Sequence, residues 1–282
     1  MTTTLRPTGP ERTDARGTRE RSYAICVNGR EVGGVRLEAS PDGVGQIYGL
    51  LVNEPDRGRG RGTIAVLAGE EILRAWGCTR SEGSVIGEEG PVVDRSLRWM
   101  RNLGYLLTAR NMVKSLPVTP PELPTGLTSR PMAAAEFAAW HDEQVGGYAE
   151  RLVQHTGLTP EQGRAKSVAD HTRLLPQGLD TPGVSITRLL AEDEVVGTIW
   201  VSAPAPLQPS DERPAWVYKV EVAEPFRGRG HGRALMLLAE QVTLAAGLHD
   251  LALNVHAGNT PAERLYESLG YRTFRWAVGK EL

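Results

Sequence analysis

One thirteen-residue pattern occurs twice in this chain, and nothing else in the sequence restricts its fold as strongly. Leu50-Leu51-Val52-Asn53-Glu54-Pro55-Asp56-Arg57-Gly58-Arg59-Gly60-Arg61-Gly62 parallels Val220-Glu221-Val222-Ala223-Glu224-Pro225-Phe226-Arg227-Gly228-Arg229-Gly230-His231-Gly232. Each copy is an apolar strand end, a Glu-Pro, one further residue and Arg-Gly-Arg-Gly-x-Gly. The downstream spacing repeats as well. Gly62 to Gly77 spans the same interval as Gly232 to Gly247. Leu103-Gly104-Tyr105 then answers Leu269-Gly270-Tyr271, after an interval four residues longer in the first copy. Two related halves are expected, and 282 residues suit two domains of ~150 residues.

Four prolines within Pro117–Gly126 fix φ and remove backbone donors, so this stretch reads as a semi-stiff linker. The expected layout is a flexible polar arm over 1–21, a first domain over 22–116, the linker over 117–126 and a second domain over 127–282. In the second domain, helices are predicted over 133–155 and 160–175, with Thr159-Pro160 opening the latter. Strands follow over 184–191, 195–202 and 215–222, and the glycine loop leads into a helix over 233–246 with Gly247 as its C′ residue. A strand over 250–255, a helix over 260–269 and a strand over 271–278 complete a mixed α+β order. The first domain shows strands over 23–27, 32–39 and 46–52 and a helix over 63–76. It has no room for the two helices that precede the hairpin in the other half.

Composition narrows the function. A formal charge of -2 gives no global basic field for nucleic acid or anionic membrane, and no apolar run reaches the ~20 residues of a membrane span. The arm lacks the apolar core of a signal peptide, and Cys26 and Cys78 have no metal-ligand or redox spacing. A reduced, cytoplasmic compartment is expected, with no metal.

A glycine-rich turn between a strand and a helix N-terminus aims several backbone N–H groups one way, and the helix dipole adds positive potential there. A pyrophosphate fits such a turn. Gly230 and Gly232 permit close backbone approach, and Arg227, Arg229 and Arg233 bring charge to the outer phosphates. The competing reading is a tight turn with no ligand. A Walker loop is excluded by the missing Gly-Lys-Ser/Thr, and a Rossmann fingerprint by the missing βαβ pattern with an acidic ribose ligand. An RGG-type RNA segment would be long and repetitive, whereas these loops are short and lie between regular elements.

These residues resemble the GNAT superfamily. Arg227, Gly230 and Gly232 match its Arg/Gln-x-x-Gly-x-Gly/Ala loop, and Leu253-Asn254-Val255, Asn259, Ala262, Leu265-Tyr266 and Gly270-Tyr271 match its second signature. The Pro-linked double layout is similar to tandem GNAT proteins of the mycothiol synthase type, an analogy of architecture that leaves the substrate open. The resemblance implies two tandem GNAT-like domains, each a mostly antiparallel central sheet flanked by helices, the first truncated. It implies acetyl-CoA as donor and a small-molecule or peptide amine as acceptor, in a monomer or homodimer, with no nucleic acid or membrane partner. Val220, Glu221 and Val222 would pair with the pantetheine arm through their main chain. Gly228, Arg229, Gly230, His231, Gly232 and Arg233 would wrap the pyrophosphate, and Asn259 would hold the pantetheine or acetyl region.

Tyr266 matches the family's general acid; its competing role is a tyrosine packed on a helix face. The family's usual glutamate position, about four residues before the 220–222 strand, holds Trp216, and the other acidic position holds Asn254. The base stays open between Glu221, His256, His141 and a water relay through Asn254. Trp140, Tyr148, Trp200, Trp216 and Tyr218 are either an acceptor pocket or plain core. In the first half, Met100 stands at the tyrosine position and Val93 at the asparagine position, and neither can make the corresponding hydrogen bond. Backbone of Leu50, Leu51, Val52, Gly58, Arg59, Gly60, Arg61, Gly62 and Thr63 could still form a second cofactor site. An acyl-CoA-binding sensor without catalysis is the alternative function.

Overall fold

The computed structural model describes residues 2–156, 158–204 and 214–282. They form two compact units, one of residues 1–109 and 275–282, the other of 110–274. Each is a mostly antiparallel sheet with helices, a mixed α+β architecture.

In the first unit β1 (Thr3–Pro7), β3 (Arg19–Val27), β4 (Arg30–Ala39), β5 (Val44–Val52), β6 (Arg80–Ile86) and β13 (Arg272–Glu281) are neighbours in that order, with β2 (Arg12–Thr13) on β3. Helix α1 (Arg61–Ala75) follows the glycine loop, and α2 (Pro91–Asn102) follows β6. Tyr23, Val35, Leu37, Ile47, Val66 and Leu73 form its core. Asn28-Gly29 makes the β3–β4 turn, both residues at positive φ.

The second unit orders β7 (Leu106–Ser115), β12 (Asp250–His256), β11 (Ala215–Val222), β10 (Glu194–Ser202), β9 (Val184–Ala191) and β8 (Leu127–Pro131). Its helices are α3 (Ala134–Thr156), α4 (Pro160–Leu174), α5 (His231–Ala245) and α6 (Thr260–Ser268). Thr159 opens α4 with a capping box: its side chain accepts from the Gln162 N–H, and Gln162 reaches back to the Thr159 N–H. Leu235, Met236, Leu251, Leu253, Ile199 and Leu189 are fully buried between α5 and the sheet.

Two expectations are corrected. Residues 1–21 are no free arm: Thr3–Pro7 pairs antiparallel with Tyr23–Val27, and Arg12–Thr13 pairs with Arg19–Glu20. Edge backbone groups of β3 need partners whatever the side chains are, so a polar segment serves. The units also do not divide at 117–126. Residues 110–116, expected with the first half, belong to the second unit, and residues 275–282, expected with the second half, belong to the first.

This reciprocal exchange of terminal strands carries a matching pair of buried charges. Lys280 on β13 donates to Glu70 on α1 at 2.8 and 3.1 Å, and Lys114 on β7 donates to Glu240 on α5 at 2.6 Å. Both carboxylates are 1% exposed. Each ammonium lies 5.7 Å from a ring centroid, Lys280 at Tyr105 and Lys114 at Tyr271. Removing one partner of such a pair leaves a stranded charge, whereas replacing both with apolar groups is often neutral. Lys280→Met is therefore expected to lower stability by about 3 kcal/mol in urea unfolding. The double variant Lys280→Met/Glu70→Leu should recover most of that loss. No loss in the single variant would show that Glu70 does not depend on the exchanged strand.

Candidate active site

Strand β11 makes the site by leaving its neighbour. It pairs parallel with β12 only through Ala215–Val217 against Leu251–Leu253. On its other side, Val217 faces Val201 and Lys219 faces Trp200, so Tyr218 is an extra residue in the ladder. A bulge of this kind bends the strand that carries it. Beyond it, Tyr218–Val222 has no ladder partner toward β12, and its edge amides and carbonyls face a gap.

At the end of β11 a 3-10 turn, Glu224–Phe226, leads into the loop, where Gly228 and Gly230 have φ of 77° and 86°. Glycine is favoured there because a Cβ is strained in this region. Gly232 has a different reason: a Cβ would come within 3.3 Å of Leu265. Among the described residues the amides of Gly228, Arg229, Gly230, His231 and Gly232 have no hydrogen-bond partner, while those of Arg233 and Ala234 bond Gly230. Five consecutive free donors at the start of a fifteen-residue helix form an anion cradle. Arg229 lies over Phe226, 5.7 Å from its centroid, with its charge in solvent. Arg227 and Arg233 are partly engaged: Arg227 Nε donates to the Val222 carbonyl at 3.3 Å and Arg233 Nη2 to Ser268 Oγ at 2.6 Å.

A cavity of about 560 Å³ occupies the gap, and Val217 to Val220, Asn254, Asn259 and Tyr266 line it together. Asn259 caps α6, its Oδ1 accepting from the Ala262 N–H at 3.4 Å, which leaves its amide hydrogens available. Tyr266 is 7% exposed, and burial pushes its phenol up to about 12. Asn254 Nδ2 donates to Asn111 Oδ1 at 2.7 Å, leaving the Asn254 carbonyl oxygen available to water.

Glu221 is not brought to this cavity. It lines a separate hollow under α3, 3.5 Å from Lys219 and 3.4 Å from Gln144. Glu136 lines that hollow too, but its hydrogen bonds from Arg130 hold its carboxyl near 2, too low for a base. His256 lines the main cavity, whereas His141 packs between Phe137 and His171. Of the aromatic candidates, Tyr148, Trp200, Trp216 and Tyr218 line the cavity, and Trp140 belongs to the buried cluster behind it.

Sequence reading missed His171. It lies on α4, where Gly163, Ser167 and His171 form a buried face at intervals of one turn, the periodic signal that could have pointed to it. His171 Nδ1 is 2.9 Å from the Ser167 carbonyl, and a carbonyl can only accept, so the proton sits on Nδ1 and the Nε2 lone pair is free. Burial, reinforced by nearby His141, depresses its pKa below the usual 6.5 and keeps it neutral.

The first unit repeats the geometry without this chemistry. β5 and β6 pair only through Val44–Gln46, Gly58 and Gly60 have φ of 72°, and the loop amides equally have no partner among the described residues. Arg61, however, is buried against Asp56, which Arg30 also holds at 2.8 and 3.0 Å. In the second unit the corresponding positions hold two rings, Phe226 and His231, 6.3 Å apart. Trp99 Nε1 donates to Thr63 at the start of α1, and Val93 is buried.

The chain matches the profile of the Acetyltransferase (GNAT) family over residues 3–86 and 153–271. It is similar to an uncharacterized N-acetyltransferase, YycN, of Bacillus subtilis, 33% identical over 153 residues, 54% of this chain and 96% of that protein. A mycothiol acetyltransferase of Thermobispora bispora is 31% identical over 265 residues, 91% of this chain and 81% of its own. In fold, the chain is similar to a tandem GNAT protein from the clavulanic acid biosynthesis pathway, with a TM-score of 0.54 at 18% identity, covering 95% of this chain and 85% of that one.

Proposed function

Because the chain belongs to the Acetyltransferase (GNAT) family and is an acyltransferase, we propose that it is acetyl-CoA-dependent and acetylates a primary amine of a small molecule or peptide, with its active site in the second unit. The observation that carries this is one cavity shared by the free edge of β11 and the buried phenol of Tyr266. Acetyl-CoA, when bound, supplies an acetyl group activated as a thioester. The residues fit it: the free amides of Gly228–Gly232 suit a pyrophosphate, the unpaired backbone of Tyr218–Val222 suits pantetheine, and Asn259 keeps its amide hydrogens. A backbone N–H of that strand polarises the thioester carbonyl.

Tyr266 keeps its proton at neutral pH because burial raises its pKa, and it donates that proton to the departing sulfur. The same dry surroundings raise the basicity of a thiolate, which narrows the gap between the two groups. His171, neutral and with Nε2 unprotonated, is our candidate to take the proton the ammonium must lose, directly or through water. Met100 and Val93 leave the first unit without an acid or an amide, so we assign it no catalysis. Its backbone cradle supports at most binding.

Tyr266→Phe is expected to lower kcat about 10²-fold or more with coenzyme affinity unchanged. Thiol release against an amine panel, with calorimetry for the coenzyme, measures both. Coenzyme binding with no turnover on any amine, and no effect of the phenylalanine, would favour the sensor instead. Gly230→Val forces a β-branched residue to φ 86° and is expected to weaken coenzyme binding by about tenfold or more.

The pH dependence tests His171. Activity should fall as pH drops through its pKa, below 6.5, because protonation removes the accepting lone pair. His171→Gln is expected to abolish that limb and cost about 10²-fold in kcat/KM. An unaltered acid limb in the variant would move the role to another group.

A further inference from the structure

The charges around the main cavity do not balance, and the imbalance bears on the acceptor. Among the described residues Arg151, Arg173 and Lys219 line it, with Asp170 the single carboxylate. Arg173 is spent on Asp170 at 2.7 Å, and Lys219 lies 3.5 Å from Glu221. Asp170 also receives the Tyr148 hydroxyl at 3.5 Å. Arg151 has no carboxylate partner among the described residues; its guanidinium lies 5.8 Å from the Tyr148 ring centroid. Among the described residues one cation is therefore left over, held above an aromatic ring with its donors unclaimed.

One side of the wall is aromatic. Trp200 and Tyr218 have ring centroids 5.0 Å apart at an interplanar angle of 32°, and Trp216 lines the same side. A volume of about 560 Å³ falls in the range of small-ligand sites.

We propose that the acceptor is an aromatic primary amine carrying a carboxylate, with Arg151 pairing the carboxylate and Trp200, Trp216 and Tyr218 taking the ring. This rests on the reading that the cavity is the acceptor site. A planar guanidinium matches a carboxylate through two parallel hydrogen bonds, and a single one suits a singly charged group rather than a phosphate. Among the described residues a polyamine finds no spare partner, since their one lining carboxylate, Asp170, is already held by Arg173 and Tyr148. Arg151 acts in binding and not in the transfer step.

The test uses matched pairs that differ only in the carboxylate: 3-(aminomethyl)benzoate against benzylamine, and phenylalanine against phenethylamine. The full-length chain, saturated with coenzyme A, is titrated with each, following the indole fluorescence of Trp200 and Trp216, so that binding is read without turnover. The carboxylate-bearing member should bind about tenfold tighter or better, and Arg151→Met should erase that advantage. Arg151→Glu should reverse it, favouring the plain amine. Equal binding within each pair, an advantage that survives Arg151→Met, or no binding of either member at millimolar concentration overturns the inference. Arg151-dependent binding without acetylation would instead sink the transfer reading and leave the site standing. Turnover of both members with no discrimination would do the opposite.

Discussion

The divergence of β11 from β12 is the constraint on which the rest of this molecule depends. Three residues of parallel pairing, Ala215–Val217, are followed by an extra residue, Tyr218, and from there the strand edge is open. An unpaired run of backbone in the middle of a sheet is costly unless something satisfies it. Every functional feature lies along that opening. The glycine loop continues directly from the free strand, Tyr266 and Asn259 on α6 close one side, and α3 and α4 close the other. The bulge also sets Tyr218 and Lys219 together opposite Trp200, which builds the aromatic wall from a fault in the ladder.

Behind each glycine loop stands a buried carboxylate. Glu70 and Glu240 occupy equivalent places on the helices that begin at the loops, and each meets a lysine from the other repeat's terminal strand. Burial and that carboxylate raise the phenols of Tyr105 and Tyr271, which therefore stay neutral beside the pair. The helix whose N-terminus presents the amides is thus anchored one face away from the ligand side by a charge pair that its own repeat does not complete.

The two units show how similar scaffolds part in chemistry. Both have the early-ending parallel pair and the free loop amides. The differences are side chains: Met100 for Tyr266, Val93 for Asn259, and a buried Arg61–Asp56 pair where the second unit has His231 and Phe226. The first unit also lacks the two helices over its sheet. The sheet positions that such helices would cover are polar there, with Arg36, Glu38, Gln46 and Tyr48 alternating with buried neighbours.

Local patterning alone determined most elements of the second unit, because its glycines, prolines and apolar periods lie within the segments they shape. Helices α3 to α6 and strands β9 to β13 lie within a few residues of the positions expected from caps and turns. The glycine loop and Tyr266 were legible for the same reason, since spacing within one segment carries them. Tertiary structure alone decided what depends on residues far apart in the chain. β1 was invisible because an edge strand needs only backbone, and no alternation in Thr3–Pro7 announces it. The exchange of β7 and β13 was invisible because either strand satisfies either sheet, and only packing chooses between them. His171 became a candidate base when the fold set α4 over the opening, and the same fold set the Glu221 side chain in a separate hollow beside Lys219 and Gln144.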